Sequence, residues 1–175
     1  MQTQGIRLVM KDQRPREDVP RLRGLGEHTA PWECTYAKED KNRCKLGKKP
    51  ASDQEYFEIL CLCVLQAGLS WNMLRKNWHK YRIAFLNFDI ETLTKMRVEE
   101  LLERPDVIRN PKKIEGIIHN ATEFQRIKLE YGSFSGFLRS QKRRERAEVI
   151  GILKNLFKHV GTYTAEFYLH SVGFR

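Results

Sequence analysis

The stretch from Phe57 to Leu65 constrains the fold more than any other, because its apolar side chains leave almost no polar face. A helix over these residues is apolar on most sides and belongs at the centre of a domain. Ser52 and Asp53 before it are residue types that cap helix N-termini, and Gly68 after it ends the helix. The sequence therefore predicts a buried central helix around which the other elements pack.

The chain from residue 70 onward carries apolar residues at helical spacing. Ser70 can cap a second helix, and Asn110 followed by Pro111 gives a cap and a first-turn proline to a long helix that Gly132 ends. Helices are expected over residues 71–85, 90–96, 98–103, 111–131, 145–158 and from 162 onward. No run of four or more residues alternates convincingly as a strand. The predicted fold class is all-α.

The first fifty residues differ in composition from the rest. They hold 12 Lys and Arg against 7 Asp and Glu, together with four of the six prolines, and they lack helical periodicity. Half of the surplus positive charge therefore lies in under a third of the chain. We expect residues 1–28 to form a flexible basic arm and residues 29–175 to form the helical domain.

Charge and composition limit the classes of function. A formal net charge of +10 favours a polyanionic partner, because each neutralised phosphate releases counterions. No run approaches the roughly 20 apolar residues of a membrane span, and the N-terminal sequence lacks the apolar core of a secretory signal. Cys61 and Cys63 lie in an apolar run and are expected to be buried reduced thiols. We expect an intracellular monomer, in the cytoplasm and nucleoid, or in the nucleus of a eukaryote.

The segment from Ile152 to Gly173 carries the sharpest functional signal. An apolar helix leads into a turn with Val160 and Gly161, and Thr162 opens the next helix. This order resembles a helix-hairpin-helix, in which glycine allows close backbone approach and free N–H groups at the helix start bind phosphate. The alternative is an ordinary turn between helices. The full string VGTYTA favours phosphate, so duplex binding irrespective of sequence is expected.

A second basic feature lies at Gln141–Arg146, whose sequence is QKRRER. Charge runs of this kind are commonly the solvated start of a helix, and the same side chains can contact phosphate groups. The sequence leaves both interpretations open.

Residues 65–71 form a further motif, LQAGLSW. It closely resembles the QAGLSW segment of 3-methyladenine DNA glycosylase I, a family within the helix-hairpin-helix DNA glycosylases. The similarity extends in order and with similar spacing over about residues 51–173. It includes Phe57-Glu58, Ile108-Arg109, Lys113-Ile114, Asn120-Ala121 and Val160-Gly161. The resemblance implies the helix-hairpin-helix DNA glycosylase fold.

The resemblance also implies a mechanism and a set of site residues. Enzymes of this kind flip a damaged base out of duplex DNA and hydrolyse its N-glycosidic bond. Leu69 would fill the gap left by the flipped nucleotide, and Trp71 would stack on the extruded base. The other residues implied at the base are Gln66, Ser70 and Cys63. The residues implied on the DNA are Leu69, Gly68, Val160, Gly161, Thr162, Arg109 and Lys113, with a monovalent cation compatible with the hairpin.

Two departures from the family pattern bear on chemistry and metal binding. The position of the family's base-recognising Glu is Cys63, and a thiol cannot serve as a charged acceptor. Glu58 lies five residues earlier and projects in a different direction. Cys34 and Cys44 lack the partner ligands that a structural zinc site needs, so neither zinc nor another metal site is expected.

A third departure concerns the catalytic acid. Many helix-hairpin-helix glycosylases carry a catalytic Asp after the hairpin, whereas no Asp follows Asp106 in this sequence. Glu166 is expected to face solvent, and Tyr36 is the best candidate for the family's pocket tyrosine. The catalytic residue is therefore unassigned.

These signals leave three functions open. The first is a monofunctional DNA repair glycosylase that excises alkylated, cationic purines such as 3-methyladenine from double-stranded DNA. The second is a glycosylase-fold DNA-binding protein that has lost its chemistry or changed its specificity. The third is an interaction protein whose basic arm binds RNA or acidic proteins. The retained wedge and Trp71 favour the first.

Overall fold

The computed structural model describes residues 47–174, without the side chains of Trp71, Asn72 and Arg75. The helices are α1 (Asp53–Gln66), α2 (Trp71–Ala84), α3 (Ile90–Thr94), α4 (Val98–Leu102), α5 (Pro111–Tyr131), α6 (Phe134–Ser140), α7 (Arg146–Leu156) and α8 (Thr162–Ser171), with a 3-10 turn over Leu86–Phe88. Residues 47–174 contain no strand, and the all-α fold class is confirmed. None of the described helices is long and apolar enough to cross a membrane. The predicted arm over residues 1–28 lies outside the described residues.

Helix α1 lies at the centre of the fold, as its apolar sequence predicts. Every residue from Tyr56 to Leu65 is buried, and α1 packs on α2, α5, α6 and α8. The Ser52 hydroxyl caps the helix by accepting a hydrogen bond from the backbone N–H of Glu55 at 3.2 Å. Because burial of apolar surface contributes about 25 cal/mol per Å², this packing holds the helix and fixes where the loop after Gln66 begins.

Helices α1 and α8 pack against each other in antiparallel directions. Near the start of α1, the Tyr56 carbonyl accepts a hydrogen bond from the hydroxyl of Tyr168, in the second half of α8, at 3.0 Å. Gly47, which precedes α1, donates its backbone N–H to the carbonyl of His170 at 3.0 Å. The loop that follows α1 and the hairpin that precedes α8 consequently lie at the same end of the molecule.

The sequence did not predict helix α6. Its start is marked by Ser133, whose hydroxyl accepts the backbone N–H of Gly136 at 3.0 Å, and Asp53 of α1 accepts the backbone N–H of Phe134 at 2.9 Å. The Phe134 ring stacks on Phe124 with centroids 4.4 Å apart. The Gly-Ser pair after α5 was an available signal, but a helix of seven residues is too short to show a clear period.

The charge run at Gln141–Arg146 is mostly a turn. Helix α7 begins only at Arg146, with Glu145 as its N-cap, so the run precedes the helix and only its last residue belongs to it. Lys142 is exposed in this turn. Glu166 of α8 also departs from the sequence prediction, because it is half-buried and accepts a hydrogen bond from Arg146 Nε at 2.9 Å.

Candidate nucleic-acid interface

Two connections that carry the sequence motifs lie on either side of one groove. The first joins α1 to α2 over residues 67–70, and the second joins α7 to α8 over residues 157–161. The groove has a volume of about 710 Å³. Its lining residues are Ala67, Lys113, His119, Lys154, Asn155, Leu156, Phe157, Lys158, His159, Val160, Gly161 and Thr164. Helix α5 supplies Lys113 and His119, and therefore forms the wall between the two connections.

The α1–α2 connection is a short turn whose geometry requires glycine at one position. Gly68 has a φ of +90°, a value that L-residues rarely adopt. The backbone N–H of Leu69 donates to the carbonyl of Gln66 at 2.9 Å, and the half-buried Leu69 side chain packs against the core. Ser70 caps α2 as predicted, because its hydroxyl accepts the backbone N–H of Met73 at 3.1 Å.

Trp71 begins helix α2 directly after this turn. Its side chain lies outside the described part of the chain, so its predicted stacking on a base stays a prediction. Gln66 ends α1 and is half-buried beside the same turn.

Lys113 connects the α1–α2 turn to helix α5. Its ammonium donates to the carbonyl of Leu65 at 3.3 Å and also to the carbonyl of Ala67. These are carbonyls at the C-terminal end of α1, where a cation also offsets the negative end of the helix dipole. Loss of hydration lowers the pKa of the Lys113 amine. The sequence predicted only a DNA contact for Lys113, and the structure gives it this role in supporting the turn.

The α7–α8 connection is fixed on α5 by side chains that the sequence analysis did not single out as functional. Asn120 is buried, and its amide group pairs with both backbone groups of Lys158, accepting the N–H at 2.8 Å and donating to the carbonyl at 3.1 Å. His119 Nε2 lies 3.1 Å from the carbonyl of Leu156. Asn120 was detectable in the sequence as a polar residue on the apolar face of a helix.

His159 completes the contact between the hairpin connection and α5. It has a φ of +58°, and its ring Nε2 lies 2.8 Å from the carbonyl of Lys112. A Cβ added at Gly116 of α5 would lie only 2.4 Å from the His159 ring. The glycine in α5 therefore allows the connection to lie directly on the helix.

The start of α8 is open to solvent. Its N-cap is Gly161, which offers no side chain to the first N–H groups of the helix, while Val160 before it is buried. Gly161 has a φ of −84°, and an added Cβ would meet no atom within 4 Å. The folded chain itself therefore gives no reason for glycine here, whereas close approach of an external group would. The hydroxyl of Thr162 accepts a hydrogen bond from Lys154 Nζ at 3.0 Å.

The groove is basic. Among the residues that the structure describes, three lysines line it (Lys113, Lys154 and Lys158) and no Asp or Glu does. The Lys158 ammonium forms an exposed ion pair with Glu115 at 3.1 Å, which is weak in water. Arg109 is exposed just before α5 and is not among the groove-lining residues.

Cys63 lies in the core of the domain. Its side chain is 3% exposed, in the same buried cluster as Cys61 and Tyr168, and burial raises the pKa of the Cys61 thiol well above its usual range. The prediction that Cys61 and Cys63 are buried thiols is confirmed. A buried thiol at Cys63 supplies no negative charge to a base, so its predicted contact with one stays a prediction.

Glu58 is occupied within the core. Its carboxylate accepts the indole N–H of Trp78 at 3.0 Å and lies 3.3 Å from Arg82 Nε. Burial raises the pKa of Glu58, and the charge of Arg82 opposes that rise. Both partners hold the Glu58 carboxylate within the core, and Glu58 is not among the residues that line the groove.

Between residues 47 and 174 no group of three or more His, Cys, Asp or Glu side chains could hold a metal ion. Cys34, Cys44 and Tyr36 lie outside the described residues, so what was predicted for them stays a prediction.

Comparison with known proteins agrees with this arrangement. The family model for methyladenine glycosylase matches residues 44–166. The DNA-3-methyladenine glycosylase of Haemophilus influenzae is 34% identical over 95 residues, which make up 53% of this chain and 51% of that protein. The DNA-3-methyladenine glycosylase 1 of Escherichia coli is 33% identical over 95 residues, with the same coverage. The chain thus spans about half the length of these curated relatives.

A solved structure extends the similarity over most of the chain. The 3-methyladenine DNA glycosylase I of Staphylococcus aureus superposes with a TM-score of 0.64 at 27% sequence identity, covering 83% of this chain and 92% of that one. The fold implied by the sequence motifs is therefore confirmed. Since the family model also covers more than half of its residues, the chain belongs to the methyladenine glycosylase family.

Proposed function

We propose that this protein is a DNA N-glycosylase that removes alkylated, cationic purines, such as 3-methyladenine, from double-stranded DNA. The observation that carries the proposal is the placement of the α1–α2 turn and the α7–α8 hairpin beside one basic groove. The two motifs lie far apart in the sequence, at residues 65–71 and 152–173. The names of the similar proteins support the same substrate class.

The hairpin suits a phosphate of the DNA backbone. The uncapped start of α8 offers backbone N–H groups, the glycine at Gly161 leaves room for an oxyanion, and Lys154 adds positive charge beside them. Such contacts position the protein without reading sequence. The predicted monovalent cation would bind hairpin carbonyls other than those of Leu156 and Lys158, which already accept hydrogen bonds from α5.

The α1–α2 turn suits insertion into the base stack. Leu69 would move from its half-buried position to fill the gap, with Gln66 and Ser70 beside the flipped nucleotide and Trp71 stacked on the base. A cationic purine leaves readily, because it takes the electron pair of the breaking C1′–N bond and becomes neutral. Water then supplies the oxygen at C1′ and loses a proton to solvent. Strong general-base assistance is not required for such a leaving group.

The lysines of the groove support a monofunctional reaction. Lyase activity needs an unprotonated amine free to attack C1′. The amine of Lys113 donates to carbonyls at the C-terminal end of α1 and that of Lys154 donates to Thr162, so two of these groove lysines are engaged by the protein. We therefore expect base release without strand cleavage.

A second candidate function rests on Cys63. Because a buried thiol takes the place of the family's base-recognising carboxylate, the chain could bind and deform duplex DNA without excising a base, or excise a different one. This candidate needs the same groove and hairpin but not the chemistry.

The deciding experiment measures base release from methylated duplex DNA, with 3-methyladenine, 7-methylguanine and 3-methylguanine resolved. Wild type and Trp71→Ala are compared, with Trp71→Phe as the variant that keeps an aromatic face. Glycosylase activity predicts release by wild type, loss of release in Trp71→Ala with duplex affinity reduced only modestly, and partial activity in Trp71→Phe. Salt-sensitive duplex binding by wild type without release of any base would overturn the proposal and leave the DNA-binding candidate.

A further inference from the structure

A second basic depression lies at the other end of the α1–α8 pair. We call it the basic pocket; it has a volume of about 190 Å³. Its lining residues are Lys49, Tyr56, Ser135, Leu138, Arg139, Lys142, Val172, Gly173 and Phe174. Along α1, Tyr56 and Ala67 are separated by eleven residues, or roughly 16 Å at 1.5 Å per residue. The basic pocket is therefore separate from the groove proposed to bind the lesion.

The backbone on one side of the basic pocket is closely packed. A Cβ added at Gly173 would lie 2.2 Å from the Gly47 carbonyl oxygen and 3.2 Å from the Lys49 nitrogen. Gly173 has a φ of +70°, so both its conformation and its contacts require glycine. This packing holds Lys49 beside the end of α8.

Hydrogen bonds hold two further parts of the wall. The Arg146 guanidinium donates to the carbonyl of Phe174 at 3.1 Å, and the Tyr168 hydroxyl donates to the carbonyl of Tyr56 at 3.0 Å. Tyr56 is itself 2% exposed, and Ser135 lies next to it in the lining. The depression is thus built on buried residues, with the half-buried Ser135 in its wall.

Within the described residues, no acidic neighbour balances the charges of the basic pocket. Lys49, Arg139 and Lys142 are exposed at its rim. Between residues 47 and 174, no Asp or Glu lines the basic pocket, and none of the three cations forms an ion pair. The C-terminal ends of α6 and α8 lie beside it and together contribute roughly one negative charge. Three cations exceed that, so a surplus of about two positive charges remains.

We propose that the basic pocket binds a phosphate group. The guanidinium of Arg139 can hold two oxyanion oxygens side by side, and Lys49 and Lys142 add point charges from two other directions. The volume accommodates one phosphate group but not a base pair. The phosphate can belong to a nucleic-acid strand or be a free ion, and both present the same tetrahedral oxygens. Lys142 belongs to the charge run at residues 141–146, none of which lines the groove.

The direct test is a titration of the full chain with inorganic phosphate, followed by amide chemical shifts. Binding at the basic pocket shifts Ser135 and Gly173, whereas binding at the hairpin shifts Gly161 and Thr162. In the double variant Arg139→Ala/Lys142→Ala, we expect the phosphate affinity at Ser135 and Gly173 to fall at least tenfold.

The matched control is Lys76→Ala/Lys128→Ala, which removes the same number of exposed charges elsewhere on the surface and should change that affinity less than twofold. Arg139→Lys should retain part of the affinity because it keeps the charge and loses only the paired donors. Phosphate shifts confined to the hairpin, or an equal loss in the control variant, would overturn the proposal.

The source of the phosphate is distinguished with DNA duplexes of about 10 and about 25 base pairs. If the ligand is a nucleic-acid backbone, the double variant should reduce the slope of log affinity against log salt by about 0.9 on the longer duplex only, because one phosphate contact is lost and each contact contributes about 0.9. If the ligand is free phosphate, both slopes are unchanged while the titration still loses affinity. Base release is measured in parallel and should be retained, which separates this proposal from the proposed function.

Discussion

The two connections that flank the groove are both held by α5, but by different chemistry. The α7–α8 connection is held by the neutral amide of Asn120, which satisfies both backbone groups of Lys158 from a buried position. The α1–α2 turn is held by the charged amine of Lys113, which is only half-buried and reaches the carbonyls of Leu65 and Ala67.

This difference bears on what each connection can do. A buried amide with two paired hydrogen bonds fixes the backbone in one position, which suits a hairpin that has to present N–H groups to a phosphate. A lysine at the end of four rotatable methylenes can follow a turn as it shifts. We therefore expect the hairpin to be the rigid contact and the α1–α2 turn to be the one that moves when a base is flipped.

The largest effect is expected from Asn120→Ala. It leaves the N–H and carbonyl of Lys158 without protein partners in a partly buried place, so the free energy of unfolding should fall by about 2–3 kcal/mol. Chemical denaturation measures the loss, and duplex affinity should fall with it, since the hairpin is no longer fixed.

Asn120→Asp is the informative control for that variant. It keeps an acceptor for the Lys158 N–H but places a buried carboxylate against the Lys158 carbonyl, so at neutral pH it should cost at least as much stability as Asn120→Ala. Part of that loss should be recovered at low pH, where the protonated carboxyl can donate to the carbonyl. If Asn120→Ala were as stable as wild type, the hairpin would not depend on α5, and the contrast between the two connections would be wrong.

A smaller effect is expected from Lys113→Met. Water can replace the ammonium at the half-exposed carbonyls of the turn, so the stability should fall by about 1 kcal/mol. Base release should fall more than duplex affinity, because the turn is misplaced while the hairpin is intact. Lys112→Met is the matched control, because it removes the same charge from an exposed side chain one residue away. It should leave base release unchanged.

The pH dependence of the free energy of unfolding distinguishes Lys113, which titrates, from Asn120, which does not. Desolvation lowers the pKa of the Lys113 amine in the folded protein. As the pH rises toward the ordinary pKa of lysine, the unfolded state therefore holds more protons than the folded state, and the free energy of unfolding gains a positive contribution. Wild type should gain stability relative to Lys113→Met over this range, whereas the difference from Asn120→Ala should stay constant. A difference from Lys113→Met that does not grow with pH would argue against the desolvated amine.

The contrast also explains how much of the site could be predicted from the sequence. Local signals were sufficient for α1, the Ser70 cap and the start of α5, because apolar spacing and capping act over a few residues. They were not sufficient for the hydrogen bonds from Lys113 to Ala67 or from Asn120 to Lys158, which join residues 46 and 38 positions apart. Such pairs depend on how the helices pack.

Short elements were missed for a different reason. Helix α6 has seven residues, which is too few for a periodic pattern, and it is positioned by the acceptor on Asp53, 81 residues earlier. The 3-10 turn at Leu86–Phe88 has three successive residues with positive φ and no glycine. Its carbonyls at Asn87 and Phe88 accept hydrogen bonds from the side chain of Gln54. Contacts distant in sequence thus stabilise a backbone conformation that the local sequence does not favour.

The smallest effect on folding, and the sharpest separation of folding from function, is expected from Gly161→Ala. Gly161 has an ordinary φ of −84° and open space around its Cβ position, so the free energy of unfolding should change by less than about 0.5 kcal/mol. Duplex affinity should nevertheless fall about tenfold, because the methyl group occupies the place proposed for a phosphate oxygen. Gly68→Ala is the opposite case, since its φ of +90° should cost stability directly. If duplex affinity were unchanged in Gly161→Ala, the start of α8 would not bind phosphate, and the rigid hairpin would serve packing alone.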